Sequence, residues 1–331
     1  MKEVNLNKKK ILYIGPVSFH YDKYFVRKLI ERGAFVYSYD LKNLDPTHLY
    51  FKILNKIKIK SKEDQRNIFY NSILLKNDYD YVFVRQGYQL DEEFLPRLRK
   101  TNPNAKFINF QWDSIRPQFD YLPIIQYFDK IFSFDIKDCQ DYAAINYLPL
   151  FYLDIYEDFK NNNSATRPVK KNDLLFIGSW RNTERYNLVK ETENLSRKFQ
   201  LRFYHYLFFS LKNQISSIKN GVIPKEAKSK KLSHEEILNL FSTTNTIIDF
   251  PSSFQTGLTI RTFEALAAGK KLITTNKNII NEPFYNPEFI NITDMSSLTL
   301  NIDFIKNIPK TSMGEMIKSY SIGSYIDKLL Q

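Results

Sequence analysis

Short apolar runs alternate with stretches at helical spacing along the whole chain, and this alternation narrows the possible folds more than any other feature. KKILYIGP (Lys9–Pro16) reads as a buried strand stopped by Gly-Pro, and YDKYFVRKLIERG after it is an amphipathic helix closed by Gly33. AFVYSYD, DYVFVRQG, AKFINFQWDS and YFDKIFSFD supply further strand-like runs. The composition then changes at DFKNNNSATRPVKKND (Asp158–Asp173), whose Asn, Ser, Pro and Lys content reads as an exposed linker. Beyond it the pattern restarts with LLFIGSW, RYNLVKETENLSRKF, LRFYHYLFF, SHEEILNLFSTT (Ser233 as N-cap), TIIDFP and LITTN. The expectation is an α/β fold of two domains, 1–165 and 166–331, with a C-terminal helix that packs back on the first domain.

A length of 331 residues suits two domains, and 43% hydrophobic residues with 15% aromatics argue against disorder. One cysteine, Cys139, rules out an internal disulfide framework or a multi-cysteine metal site. The N-terminal residues turn into a strand too soon for a signal peptide, and no apolar run is long enough to span a bilayer. A cytoplasmic protein is expected, peripheral on the inner membrane face if the lysines serve that purpose. The net charge of +12 gathers in segments 51–62 and 211–231. Such patches suit an anionic membrane surface or equally a solvated exterior.

Open parallel sheets bind ligands beyond the carboxyl ends of their strands. Two turns there carry glycine directly after an apolar run: YIGPVSFHYD with Gly15, and FIGSWRNTER with Gly178, Ser179, Arg181 and Arg185. Glycine lets backbone N–H groups approach a ligand, and arginine forks suit phosphate oxygens. QTGLTIRTFEALAAGKKLITTN (Gln255–Asn276) is more specific. Gly257 lies in its loop, a helix runs from Thr259 to Ala268, and Arg261 and Glu264 share one face near the helix start. A helix start with an arginine suits a diphosphate, and a carboxylate just beyond suits the vicinal hydroxyls of a ribose. A local ion pair on a core-facing helix is the plainer alternative.

GLTIRTFEALAAGKKLITTN resembles the nucleotide-binding segment of GT-B glycosyltransferases, in particular the bacterial lipopolysaccharide and capsule branch related to spore-maturation glycosyltransferases. FIGSW, FQWDS and YFDKIFSFD resemble further blocks of that branch. The resemblance implies two Rossmann-like domains facing across a cleft. It also implies a nucleotide sugar on the second domain and a glycan or lipid-linked acceptor on the first. In this reading Glu264 meets the ribose, while Thr259, Arg261, Gly257, Gly178, Ser179 and Arg181 meet the phosphates. Gln255 and Thr256 reach the donor sugar, and Gly15 lines the acceptor side. Many retaining members carry a second glutamate eight residues before the ribose one, where this chain has Thr256.

Asp113, after a strand run, and His20, in the Gly15 loop, are the candidate general bases. Asp113 also fits a helix cap or a partner for Arg116, and His20 a surface loop. No metal and no cofactor are expected, because arginines and backbone donors can stabilise a leaving diphosphate. NDYDY (Asn77–Tyr81) mimics a metal-binding Asp-x-Asp but precedes a strand, which reads as a solvated turn. A sugar-nucleotide epimerase of the same fold is the second enzymatic reading. A nucleic-acid-binding protein is the third, although the basic segments carry no recognisable nucleic-acid module.

Overall fold

The computed structural model describes residues 3–16, 20–44, 62–76, 78–162, 171–180, 183–209 and 228–331. They form two units, Met1–Pro149 with Ile322–Gln331, and Leu150–Ser321. The division falls at Pro149, upstream of the Asn-rich stretch at which composition changes. The helix Asp154–Asn162 takes in the start of that stretch, so the expected linker is helical as far as Asn162; the helix packs on the helix Ile260–Ala267 and belongs to the second unit.

The first unit holds a six-stranded sheet of β1 (Lys10–Gly15), β2 (Phe35–Asp40), β3 (Tyr81–Arg85), β4 (Lys106–Gln111), β5 (Lys130–Ser133) and β6 (Ile145–Tyr147). All pairings are parallel and the order is β2-β1-β3-β4-β5-β6. Successive side chains along a strand face opposite ways. Leu12, Ile14, Val82, Val84 and Phe107 therefore join one core, with Phe94, Leu95 and Leu98 of the helix Phe94–Thr101. Tyr13, Phe83 and Phe110 form an aromatic layer on the other face with Phe25 of the helix His20–Glu31. The C-terminal helix Ile322–Leu330 completes that layer. Its Tyr325 ring meets Phe25 and Phe110, and Asp327 accepts from Arg32 Nη1 and Val4 N–H, both at 2.8 Å.

The second unit repeats the plan with β7 (Asn172–Ser179), β8 (Phe203–Phe208), β9 (Thr244–Asp249), β10 (Lys271–Thr274) and β11 (Ile290–Ile292), ordered β11-β10-β9-β7-β8. All its pairings are also parallel. Ser233 caps the helix His234–Ser242 in a full capping box with Glu236. In each sheet the strand order reverses beside the first strand, between β1 and β3 and between β7 and β9. Open α/β sheets gather their ligands at the carboxyl ends of such strands.

Among the described residues, no helix is long and apolar enough to cross a membrane.

Candidate functional site

In the second unit the reversal point brings together the ends of β7 and β9. Asp249 closes β9 as a buried residue, its carboxylate accepting from the Thr259 hydroxyl at 2.5 Å and the Thr262 hydroxyl at 3.3 Å. Burial pushes this carboxyl above its ordinary range, and Thr259, Arg185, Arg261 and Thr262 pull the other way. Thr259 is the N-cap residue of the helix Ile260–Ala267, yet its hydroxyl serves Asp249 and no side chain caps the helix. N-terminal N–H groups of an α-helix lack partners within the helix and carry partial positive charge.

The loop before this helix is clamped. Asn276, just past β10, donates to the carbonyls of Thr256 at 3.0 Å and Gly257 at 3.1 Å, and Asn278 donates to Thr256 at 3.0 Å. Gln255 donates to the Gly257 carbonyl at 2.9 Å, so its side chain serves loop closure in this conformation.

Arg261 and Glu264 lie on one face of the helix, with Nη1 to Oε2 at 2.7 Å. Their environments differ sharply: Glu264 has no exposed surface, while Arg261 is 14% exposed. Tyr156 of the helix Asp154–Asn162 lies against them, its hydroxyl pKa raised first by burial and then by the Glu264 carboxylate. The Arg261 guanidinium stands 5.6 Å from the Phe241 ring centroid. The carboxylate is thus enclosed behind an arginine that reaches the surface.

Gly15 and Gly178 close β1 and β7, and the same local reason accounts for both. A Cβ on Gly15 would stand 3.0 Å from the Tyr13 ring, and one on Gly178 would stand 2.7 Å from the Phe176 ring. Residues two apart on a strand share a face, so each glycine makes room for the aromatic side chain before it. Ser179 presents its carbonyl to Arg185 Nη1 at 3.1 Å. Arg181 lies outside the described residues, as do most of segments 51–62 and 211–231.

In the first unit, the carboxyl ends of β1 and β3 enclose a buried ion pair that the sequence reading did not single out. Arg85 meets Asp22 through Nε at 2.6 Å and Nη2 at 2.9 Å, and the Tyr13 hydroxyl donates to the same carboxylate at 2.5 Å. The Trp112 ring lies 4.3 Å from the guanidinium. Asp22 sits three and seven residues before Phe25 and Leu29 on the apolar stripe of its helix, and Arg85 follows Phe83 on one strand face. Those spacings were the available signal. His20 opens the same helix, and its side chain lies outside the described residues. Asp113 accepts from Gln86 Nε2 at 2.6 Å, and its other oxygen stands 3.9 Å from Arg116 Nη2.

Carboxylates also fasten the loop that carries Asp113. Asp138 accepts from the Ser133 hydroxyl at 2.7 Å and Ile115 N–H at 3.1 Å, and Ser114 donates to Asp135. Burial, reinforced by Asp135 and opposed by Ser133, raises the Asp138 carboxyl to about 6 from 3.8. Between these values the folded state holds a proton that the unfolded chain has released, so this group makes stability fall as pH rises from about 4 to 6. Asp138→Asn is expected to flatten that slope and to add up to about 2–3 kcal/mol at pH 7. Urea unfolding at pH 4.5, 6 and 7.5 measures it, and an unchanged slope would refute the assignment.

No protein-family model and no curated protein matches the sequence. Solved structures do match. A sucrose-phosphate synthase from Thermosynechococcus elongatus aligns with a TM-score of 0.60 at 11% identity, covering 98% of both chains. The catalytic domain of starch synthase IV from Arabidopsis thaliana, bound to ADP and acarbose, gives 0.52 at 10% identity over 98% of this chain and 100% of that one. UDP-GlcNAc 2-epimerase from Neisseria meningitidis, bound to UDP-GlcNAc, gives 0.50 at 10% identity over 97% and 99%. With the two parallel sheets, these likenesses show the fold: the chain has the GT-B architecture of two Rossmann-like units. At such identities the likeness shows the fold and stops there.

Proposed function

We propose that the chain is a glycosyltransferase that takes a sugar from a nucleotide-activated donor, with the second unit holding the nucleotide and the first the acceptor, a cell-envelope glycan or lipid-linked sugar. The observation that carries this reading is the start of the helix Ile260–Ala267, whose N-cap hydroxyl is drawn off to Asp249 while Arg261 stands in its first turn. Backbone donors, the helix dipole and a guanidinium converge there on the charge that a departing diphosphate develops. They stabilise that charge without calling on a divalent ion.

Glu264 is enclosed, so a ribose hydroxyl meets it only once Arg261 turns outward. In that exchange the guanidinium trades one carboxylate for phosphate oxygens, and the carboxylate trades the guanidinium for two hydroxyls. The fold-level likeness to an epimerase supports a second reading, in which the enzyme turns over the nucleotide sugar with no acceptor present. Product analysis with and without acceptor separates the two.

The test is thermal stability with UDP, GDP, ADP, CDP and CMP. A ligand at 100 times its Kd is expected to raise Tm by roughly 4–8 °C. No shift with any of them would remove the basis for the reading.

A further inference from the structure

A second cluster lies at the carboxyl edge of the first unit's sheet, on residues that the nucleotide grip does not use. Its anchor is Gln86, which follows β3 with φ +68°, a left-handed conformation that non-glycine residues adopt at a cost. Three hydrogen bonds hold it there. Its N–H donates to the Phe110 carbonyl at 3.1 Å, and its own carbonyl accepts from Asn109 Nδ2 at 3.1 Å and Gln111 Nε2 at 2.8 Å. Backbone strain held this firmly fixes where the Gln86 side chain leaves the chain. The Gln86 amide points at Asp113, 2.6 Å away.

The contacts continue outward from Asp113. Arg116 stands 3.9 Å from its carboxylate and 4.3 Å from the Phe119 ring centroid, and Phe119 meets Tyr88 edge to face at 5.0 Å. Asp113 and Arg116 are 26% and 27% exposed, so these groups are fixed yet reach solvent. A carboxylate, an amide and a guanidinium beside two aromatic rings form one connected patch.

We propose that this patch is a saccharide-binding subsite that seats the acceptor as a sugar ring. The claim rests on the glycosyl-transfer reading above. The chemistry of a pyranose matches the patch group by group. Vicinal hydroxyls donate to a carboxylate and accept from an amide and a guanidinium, while the C–H face of the ring packs on an aromatic side chain. Other occupants fit less well. Asp113 repels a phosphate, and an acyl chain would leave a carboxylate and a guanidinium desolvated without new partners. Gln86 acts here as a positioning residue, holding Asp113 so that the carboxylate is aligned before the sugar arrives.

The full-length protein is screened by saturation-transfer NMR against glucose, galactose, mannose, N-acetylglucosamine and their 1,4-linked disaccharides, and any binder is quantified by calorimetry. At least one disaccharide is expected to bind. Asp113→Asn, Phe119→Leu and Gln86→Ala are each expected to weaken it about tenfold or more while leaving the nucleotide-induced Tm shift intact. Asp113→Asn is nearly isosteric and Phe119 is only half-buried, so neither substitution is expected to unfold the chain. If no saccharide binds while a nucleotide still shifts Tm, the subsite is wrong and the donor reading stands. If neither ligand acts on the wild-type protein, both fall. Binding that survives Asp113→Asn and Phe119→Leu unweakened also overturns the assignment.

Discussion

Arg261→Met is expected to cost about 3–5 kcal/mol of stability, more than Glu264→Gln, which is expected to cost about 1–3 kcal/mol. The asymmetry follows from burial. Without Arg261, a carboxylate with no exposed surface loses its counter-charge, whereas without the Glu264 charge the partly exposed guanidinium can turn to water. The double variant Arg261→Met/Glu264→Leu is expected to recover most of that loss, because replacing both members of a buried pair with apolar residues removes the stranded charge. It therefore separates folding from function. If the pair grips a donor, the double variant folds near wild-type stability and shows no Tm shift with the nucleoside diphosphate that shifts the wild type. If the pair is only a local brace, the shift persists. Urea unfolding gives the first quantity and thermal denaturation with ligand the second.

The strands of both units were legible because strands buried in a parallel sheet are apolar almost throughout, as in ILYIG and LLFIG. The helix Ile260–Ala267 was legible too, since Gly269 stops it and its apolar face is continuous. The division between units was not. Composition changes at the Asn-rich stretch, but Tyr156 ties the helix that runs into that stretch to Glu264, a contact across more than a hundred residues that no local pattern reveals. The strand-end glycines were noticed for a ligand-related reason, while the structure supplies a packing reason in Tyr13 and Phe176. Asp249, Asn276 and Asn278 passed unremarked because each looks locally like an ordinary strand end. Their work, drawing off the Thr259 hydroxyl and clamping the Gly257 loop, depends on neighbouring strands being side by side.

Arg85→Met is the other substitution with a large expected effect, about 3–5 kcal/mol at neutral pH. It leaves Asp22, which has no exposed surface, with the Tyr13 hydroxyl and without its bidentate partner. In the wild type, burial already pushes the Asp22 carboxyl up while Arg85 pulls it back. With the arginine gone, burial is opposed only by the hydrogen bonds from Tyr13 and the backbone, and the folded variant holds a proton on Asp22 that the unfolded chain gives up near pH 4. Stability of the variant therefore falls as pH rises above 4, and its deficit relative to wild type is larger at pH 7–8 than at pH 5. Asp22→Asn/Arg85→Met should lose this pH dependence, since asparagine still accepts from Tyr13 and carries no charge. A deficit independent of pH would mean that Arg85 contributes through packing on Trp112 and not as the counter-ion of Asp22.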